Sequence, residues 1–516
     1  MCHHHLSRLA LNPLSFEEFY RSPPLLPARV LDLQGTGNSK VCLKETNEER
    51  APYITLSHCW GSVQPLITTI STLHSHKDGI EWPLLPKTFQ DAITITRGLD
   101  IRYIWIDSLC IVQDDEEDWA AESIKMATIY ENSYLTIAAT AATGGTSGCF
   151  TIRDSEAKLR HSHQIRAPTE TQQAIYVRRS PRSVHEGLGP EILGYGNEMP
   201  LTGRGWTLQE NLLSRRVLNM CGEEMVWECN THTKCECTKM DDFGGSFKHN
   251  FTRIVCNEVA HPNVFIEMWD LVLARYLARN LTFQKDRLTA IEGVAQKLVS
   301  TRPGLGKCVV GHWEAWLLAG LLWFVGVDGI FMHDGRDTGS MAPPTWSWAS
   351  LKGCWQYGRV PIERGFPTVL VNTSWRMSST TENFPKTTWI QLKGPFLSAK
   401  LEYTQNSTGS NDQVRFEAQH PRLLELDEEK AQKGFAVVYV DTVLESQLNP
   451  LLPGATVYLL EVQTEEHFPG DPIVGRGLIL RPHFGDISSD SFERVGIFYC
   501  RHDRFKDAEA KVVTLV

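Results

Sequence analysis

Ionisable side chains follow directly after two apolar runs in this sequence. His58 comes shortly after residues 53–56, and Asp107 and Cys110 come after residues 103–106. A thiol, an imidazole and a carboxylate are the groups that act as nucleophile, base and orienting residue in Cys–His acyl-transfer enzymes. Such chemistry needs the thiolate, which a neighbouring imidazolium favours by lowering the pKa of the thiol. His58, Asp107 and Cys110 are therefore candidate catalytic residues.

Structural roles compete with this chemistry. Cys110 lies between Leu109 and Ile111, and a free cysteine in apolar surroundings is often a core residue. Asp107 could equally cap the turn that follows it, a common use of aspartate. Cys59 is a weaker candidate nucleophile, because adjacent residues on an extended segment point to opposite faces.

A second group of candidates lies on a predicted helix over residues 204–213. Trp206 and Glu210 are four residues apart and so share one face of that helix. Arg204 could hold an anionic group, or pair with Asp107 or Glu210, since a partly buried arginine is usually satisfied by a carboxylate. We take Glu210 as a further candidate catalytic residue and Arg204 and Trp206 as candidate ligand-binding residues.

A group of thiols and one imidazole occurs further along the chain. Its members are Cys221, Cys229, His232, Cys235 and Cys237. A structural zinc site needs four ligands and usually contains Cys-x-x-Cys pairs. Such pairs are missing, and the Cys235-Glu-Cys237 spacing is too tight for a normal zinc knuckle. We therefore expect no metal.

The surrounding pattern predicts how the first candidates are positioned. Strands are predicted at 53–56, 102–107 and 134–138, and they alternate with helices at 86–98 and 118–130. This alternation is typical of right-handed βαβ units in a parallel sheet. Ligands of such sheets bind beyond the carboxyl ends of the strands. The candidate residues that follow the strands would lie on that edge.

The predicted secondary structure divides the rest of the chain into regions. Two strands are predicted at 30–33 and 41–43, one at 217–220, and helices at 269–278 and 287–298. Beyond Pro343, six short alternating segments predict an antiparallel β unit; they are 389–392, 413–418, 435–440, 456–462, 477–480 and 495–499. We divide the chain into a lead-in (1–50), an α/β module (51–220), a helical region (221–340) and a C-terminal β-rich unit (341–516).

Composition excludes several classes of protein. The 516 residues carry a net charge of −10, and no basic cluster suits a nucleic acid. The longest apolar stretch, residues 315–327, is shorter than the roughly 20 residues of a membrane helix. The N-terminus has no secretory signal pattern. We expect a cytoplasmic protein whose 13 cysteines are mostly reduced thiols.

Three sequence blocks resemble the fungal heterokaryon incompatibility (HET) domain. They are Tyr53-Ile-Thr-Leu-Ser-His-Cys-Trp-Gly61, the stretch Leu85–Tyr130 with Tyr103-Ile-Trp-Ile-Asp-Ser-Leu-Cys-Ile-Val-Gln113, and Arg204-Gly-Trp-Thr-Leu-Gln-Glu210. The resemblance implies a role in non-self recognition, in which incompatible fusion partners trigger programmed cell death. It also implies a distant similarity to TIR domains, with a flavodoxin-like, mostly parallel sheet. Expected partners are other incompatibility proteins or a small-molecule ligand, and the chain could form a homo-oligomer.

The resemblance leaves enzymatic alternatives open. The pattern from Trp206 to Glu210 is similar to the Trp-x-x-x-Glu pattern around the catalytic glutamate of TIR-type NAD glycohydrolases. NAD is then a possible substrate, and the glutamate would stabilise the ribosyl cation formed as nicotinamide leaves, as carboxylates do in glycoside cleavage. Some family members could instead have settled into specialised metabolism, where a Cys–His tailoring or acyl-transfer reaction is the alternative.

Overall fold

The computed structural model describes most of the chain, with gaps. The described residues are 22–34, 39–150, 199–238, 246–256, 262–325, 333–337, 342–353, 357–359, 365–374, 388–404, 420–425, 436–441, 455–466, 472–483 and 490–516. They form two compact units. The first contains the described residues up to Phe265 together with Thr289–Thr301, and the second contains Ile266–Leu288 and the described residues from Arg302 onwards.

The first unit is built on a nine-stranded sheet. Its strands are β1 (Arg29–Asp32), β2 (Lys40–Glu45), β3 (Tyr53–Ser57), β4 (Ile80–Glu81), β5 (Tyr103–Ile106), β6 (Leu135–Ala138), β7 (Arg216–Met220), β8 (Met225–Cys229) and β9 (Thr233–Cys235). The helices in chain order are α1 (Leu73–Asp78), α2 (Lys87–Gly98), α3 (Asp107–Cys110), α4 (Glu116–Asn132), α5 (Trp206–Leu213), α6 (Phe247–Val255), α7 (Pro262–Leu277) and α8 (Thr289–Thr301). Helix α7 runs from the first unit into the second.

The sheet is mixed rather than mostly parallel. Its order is β4-β2-β1-β5-β3-β6-β7-β8-β9, and only the four central strands, β5, β3, β6 and β7, are parallel neighbours. The predicted βαβ units account for this centre, where α2 connects β4 to β5 and α4 lies between β5 and β6. The flanking strands pair antiparallel. Only a few residues separate β7 from β8 and β8 from β9, and such short connections can only produce antiparallel neighbours.

The parallel centre is buried on both faces. All five residues of β3 and all four of β5 are buried, as expected for central strands that helices cover on both sides. The strand predicted over 102–107 ends at Ile106, and Asp107 begins the short helix α3. Similarly, the helix predicted to begin at 204 begins at Trp206.

Helix α4 begins as its acidic sequence requires. Asp115 is the N-cap, and its carboxylate accepts hydrogen bonds from the amides of Glu117 and Asp118 at 3.0 and 3.1 Å. Asp118 in turn contacts Arg29 of β1 in a salt bridge of 2.5 Å. These contacts hold the helix start beside the sheet, and carboxylates there also suit the positive end of the helix dipole.

The second unit is dominated by β structure, which confirms the predicted C-terminal β-rich unit. Its main sheet has eight strands, namely β16 (Val369–Thr373), β17 (Ile390–Thr404), β18 (His420–Glu425), β19 (Ala436–Val440), β20 (Ala455–Glu465), β21 (Val474–Pro482), β22 (Ser491–Arg501) and β23 (Ala510–Leu515). Because β17 pairs with both β18 and β20, six of these strands close into a ring. The predicted segment 413–418 lies outside the described residues.

Smaller elements precede this sheet. They are β10 (Cys308–Val309), β11 (His312–Trp313), α9 (Leu317–Gly320), β12 (Trp323–Val325), β13 (His333–Arg336), β14 (Leu351–Gly353) and β15 (Tyr357–Arg359). Residues 221–340, predicted as helical, therefore also contain β8 and β9 of the first sheet. Among the described residues, none of the helices is both long and apolar enough to cross a membrane.

Candidate functional site

The candidate site lies at the carboxyl ends of the adjacent parallel strands β3 and β5. Leu56 of β3 pairs in register with Ile106 of β5, so the residues that leave the two strands emerge side by side. His58 and Asp107 follow at these points, and His58 Nε2 lies 2.9 Å from Asp107 Oδ1. The structure thus brings together two residues that are 49 positions apart in the sequence.

The side chain of His58 is buried and is positioned by ring packing and by contacts at both ring nitrogens. Its side chain is only 1% exposed, and the ring of Phe89 from α2 packs edge-on against it at 4.9 Å. Its Nδ1 lies 3.2 Å from the carbonyl oxygen of Cys59, while Nε2 faces Asp107. The Asp107 carboxylate and the Cys59 carbonyl both present oxygen acceptors to the ring. His58 is therefore a hydrogen-bond partner of Asp107.

Asp107 receives two further hydrogen bonds. Trp60 Nε1 donates to Asp107 Oδ2 at 3.0 Å, and the amide of Ser108 donates to Oδ1 at 2.7 Å. Burial opposes ionisation, but the charges of His58 and Arg204 outweigh it, so the pKa of Asp107 lies below its ordinary value. Asp107 is the ionised carboxylate of the site, and at 20% side-chain exposure it is more accessible than His58.

Glu210 projects from α5 into the same cluster. It is 5% exposed. Burial and the negative charge of Asp107 raise its pKa, and a hydrogen bond from Ser57 together with the positive charges of Arg204 and His58 only partly offsets this rise. Glu210 therefore retains its proton more readily than an exposed glutamate does.

The two carboxyl groups thus have pKa values that are shifted in opposite directions. Asp107 is favoured as carboxylate and Glu210 as carboxylic acid. Divergent pKa values in one enclosed cluster are typical of acid–base pairs in active sites. The arrangement could donate a proton from Glu210 and stabilise positive charge at Asp107.

Arg204 connects this pair to the β3 strand end. Its Nη1 donates to the carbonyl oxygen of His58 at 2.6 Å, and its charge lowers the pKa of both Asp107 and Glu210. The position of Arg204 is fixed by the turn before α5, where Thr207 Oγ1 donates to the carbonyl oxygens of Leu201 and Arg204, each at 2.8 Å. The electrostatic role predicted for Arg204 is compatible with this placement.

A network of buried hydroxyl groups connects the cluster to the sheet. Thr55 and Thr136 are 2.7 Å apart across β3 and β6, and Thr136 lies 2.6 Å from Ser214. Ser214 Oγ donates to the backbone carbonyl of Glu210 at 2.6 Å. The chain of hydrogen bonds ties the end of α5 to the sheet and so fixes the position of Glu210.

Tyr130 at the end of α4 contacts the same cluster. Its hydroxyl donates to the carbonyl of Leu56 at 3.2 Å, and burial together with the neighbouring carboxyl of Glu210 raises the pKa of Tyr130 well above its ordinary value. Tyr130, Trp60 and Ser57 are not among the candidate site residues predicted from the sequence. Trp60 lies two residues after His58, and this period-2 spacing was the one signal that could have indicated it.

Cys110 is placed differently. It is fully buried, its Sγ lies 3.5 Å from the amide of Ile106, and burial raises the pKa of the thiol to about 12. The hydrogen bonds of His58 go to Asp107 and Cys59, not to Cys110. A thiol in this state does not supply the thiolate that nucleophilic catalysis needs, so the geometry favours packing for Cys110.

Two other residues from the sequence analysis lie beside the cluster. Cys59 is buried, and burial raises the pKa of its thiol as well. Trp206 packs against the core of the first unit, with its ring 6.4 Å from that of Trp119. Trp206 therefore packs between α4 and α5.

Comparison with known proteins gives one match. Residues 53–210 match the family model described as heterokaryon incompatibility protein (HET). The matched segment contains His58, Trp60, Asp107, Arg204 and Glu210, and it agrees with the resemblance carried by the three sequence blocks. No curated protein and no solved structure matches the chain.

Replacing Glu210 by glutamine tests the raised pKa. A carboxyl whose pKa is higher in the folded than in the unfolded state destabilises the fold above that pKa, and this penalty is absent below the unfolded pKa. We expect Glu210→Gln to raise the melting temperature at pH 8 and to leave it unchanged near pH 3.5, because glutamine keeps the acceptor oxygen but cannot ionise. Thermal unfolding at both pH values, with the exposed Glu223→Gln as control, measures the effect. A lower melting temperature for Glu210→Gln at pH 8 would contradict the raised pKa.

Proposed function

We propose that this protein acts in fungal heterokaryon incompatibility, as a non-self recognition component that signals towards programmed cell death, because residues 53–210 match the HET family model. The family match supports the proposal. We propose that the domain acts through the strand-end cluster of His58, Asp107 and Glu210, which lies inside the matched segment. The partner would be another incompatibility protein or a small-molecule ligand, encountered in the cytoplasm.

The cluster suits such a role for a physical reason. An imidazole, a carboxyl group with a lowered pKa and a carboxyl group with a raised pKa lie together at the end of a buried parallel sheet, where ligands of α/β proteins collect. Beside them, residues 61–64 are exposed, including Val63 at 75%. A polar cluster next to an exposed loop provides both specificity and access for a partner.

Induced expression in a filamentous fungus tests the signalling proposal. The wild-type chain should arrest growth and kill hyphal cells. Asp107→Asn and Glu210→Gln should each reduce killing by at least about 10-fold, because the first removes the carboxylate charge and the second removes the titratable carboxyl group of α5. Asp100→Asn is the matched control. Asp100 is exposed and has a φ of 57°, a conformation that asparagine adopts readily.

Viability counts and immunoblots for protein level are the measurements. Equal killing by all variants at equal protein level would exclude the cluster from the signal. Absence of killing by abundant wild-type protein would exclude the signalling role itself.

A second candidate function is cleavage of the nicotinamide–ribose bond of NAD. The observation that favours it is the pair of carboxyl groups with divergent pKa values. In this reaction the bond between ribosyl C1′ and the nicotinamide nitrogen breaks, and the electron pair leaves with neutral nicotinamide. Water then adds to C1′ and loses a proton, which gives ADP-ribose. Asp107, as the ionised and more accessible carboxylate, would stabilise the ribosyl cation, and Glu210 would orient the ribose as a hydrogen-bond donor.

Nicotinamide release from NAD measures this activity directly. Purified wild-type protein should release nicotinamide. Asp107→Asn and Glu210→Ala, which remove the carboxylate and the hydrogen-bond donor, should each lower turnover by about 10²-fold or more, while Asp100→Asn retains it. Circular dichroism establishes that each variant is folded. Undiminished turnover in both cluster variants, or no turnover by the wild type, would remove this candidate and leave the recognition role to be judged by the growth assay.

A further inference from the structure

A second group of chemically reactive side chains lies at the edge of the first sheet and is separate from the cluster of His58, Asp107 and Glu210. It consists of Glu224, Cys235 and Cys237, whose ligand atoms all lie within 4.8 Å of one another. Glu224 lies in the turn between β7 and β8, Cys235 is the last residue of β9, and Cys237 follows two residues later. We refer to these three residues as the hairpin cluster.

The register of the β8–β9 hairpin produces this convergence. Val226 pairs with Cys235, which places the end of β9 opposite the start of β8. The amide of Cys237 then donates to Glu224 Oε2 at 3.1 Å, and the amide of Met225 donates to the carboxylate of Glu236 at 3.1 Å. These backbone contacts hold the Glu224 carboxylate beside both thiols.

The distances fit a single ion bound by all three groups. Cys235 Sγ lies 3.3 Å from Cys237 Sγ, and Cys237 Sγ lies 3.7 Å from Glu224 Oε1. With Zn–S bonds of about 2.3 Å and Zn–O bonds of about 2.0–2.2 Å, two ligands of one tetrahedral zinc ion are roughly 3.5–3.8 Å apart. The Cys235–Cys237 and Cys237–Glu224 separations each lie within about 0.5 Å of that geometry, and all three ligand atoms lie within 4.8 Å of one another.

The surroundings of the cluster also suit a bound ion. Glu224 is fully buried and Cys235 is 8% exposed, while Cys221, Met199 and Val226 form an apolar cover. Cys237 is half-buried, which gives an ion a route of entry and leaves space for a water ligand. Two thiolates favour a soft or borderline divalent ion over magnesium or calcium.

Sequence spacing could not indicate this group. The expectation of no metal considered cysteines and histidine alone, but the third ligand is a glutamate 11 residues before Cys235. Cys229 and His232, which the spacing placed in the same set, lie at the opposite end of the hairpin, where the amide of Cys229 donates to the carbonyl of His232 at 2.9 Å. They take no part in the cluster.

We propose that Glu224, Cys235 and Cys237 bind one Zn²⁺ ion, with a water molecule as fourth ligand, and that this ion fastens the edge of the nine-stranded sheet. The strand β9 is the last of the sheet order and spans only three residues. A short edge strand gains stability from a cross-link to the preceding turn, and a bound metal contributes its binding free energy to the folded state.

Metal binding by the full chain tests the proposal. Near its start the sequence contains Cys2-His-His-His5, which could bind metal adventitiously. The experiment therefore uses a background protein in which Cys2 is replaced by serine and the three histidines by alanine, and every variant is made in this background. After metal removal under reducing conditions, the background protein should bind one Zn²⁺ per chain and melt at a higher temperature with zinc. Cobalt(II) should produce a thiolate-to-cobalt charge-transfer absorption typical of sulfur ligands.

Variants assign the ligands. Cys235→Ser and Cys237→Ser should abolish the cobalt absorption, and Glu224→Gln should weaken zinc binding at least about 10-fold. The neighbouring exposed Glu223→Gln and the distant Cys42→Ser should bind as the background protein does. Because a cysteine variant could fail to fold, zinc should also protect Cys235 and Cys237, but not Cys42, from alkylation in the background protein, as read by mass spectrometry.

Four results would overturn the proposal. The first is zinc binding that is unaffected by Glu224→Gln and both serine variants, and the second is a folded background protein that binds no zinc. The third is alkylation of Cys235 and Cys237 that zinc does not slow. The fourth is a disulfide between Cys235 and Cys237 in freshly purified protein, since the thiols would then serve as a redox pair.

Discussion

The contact between His58 and Asp107 is the interaction on which the rest of the site depends. It joins the ends of two adjacent parallel strands at 2.9 Å, and it exists because the in-register pairing of β3 and β5 makes the two segments emerge together. A buried charge is tolerated only when it is paired and hydrogen-bonded. The donors from Trp60 and Ser108 meet that requirement for Asp107.

The charge state of this pair determines the chemistry around it. Asp107 is ionised because of His58 and Arg204, and its negative charge then raises the pKa of Glu210 on α5. Helix α5 is in turn held by the hydroxyl network of Thr55, Thr136 and Ser214. The sheet, the helix and the ionisable groups therefore form one arrangement, in which a change of charge at one residue alters the protonation of the next.

The sequence predicted the part of this arrangement that depends on periodicity. The strands β3, β5 and β6, the helices between them and the shared edge of His58 and Asp107 follow from alternating apolar patterns. The burial of the Cys110 side chain could not be predicted in this way. The short helix after β5 carries Cys110 into the core, and four residues are too few to show a helical period in the sequence. Trp60, Tyr130 and Glu224 were missed for a related reason: their roles arise from lateral contacts between distant segments. The antiparallel flanks of the sheet depend on turns rather than on strand composition.

The central claim is that the pKa values of Asp107 and Glu210 are shifted in opposite directions within one cluster. Carboxyl carbon NMR of the full chain, labelled at aspartate and glutamate, tests it most directly. Asp107→Asn and Glu210→Gln assign the two resonances. We expect the Asp107 resonance to titrate below the ordinary value of 3.8 and the Glu210 resonance to titrate above 4.5. Titration of both groups at their ordinary values, or a Glu210 carboxyl that ionises before Asp107, would contradict the claim.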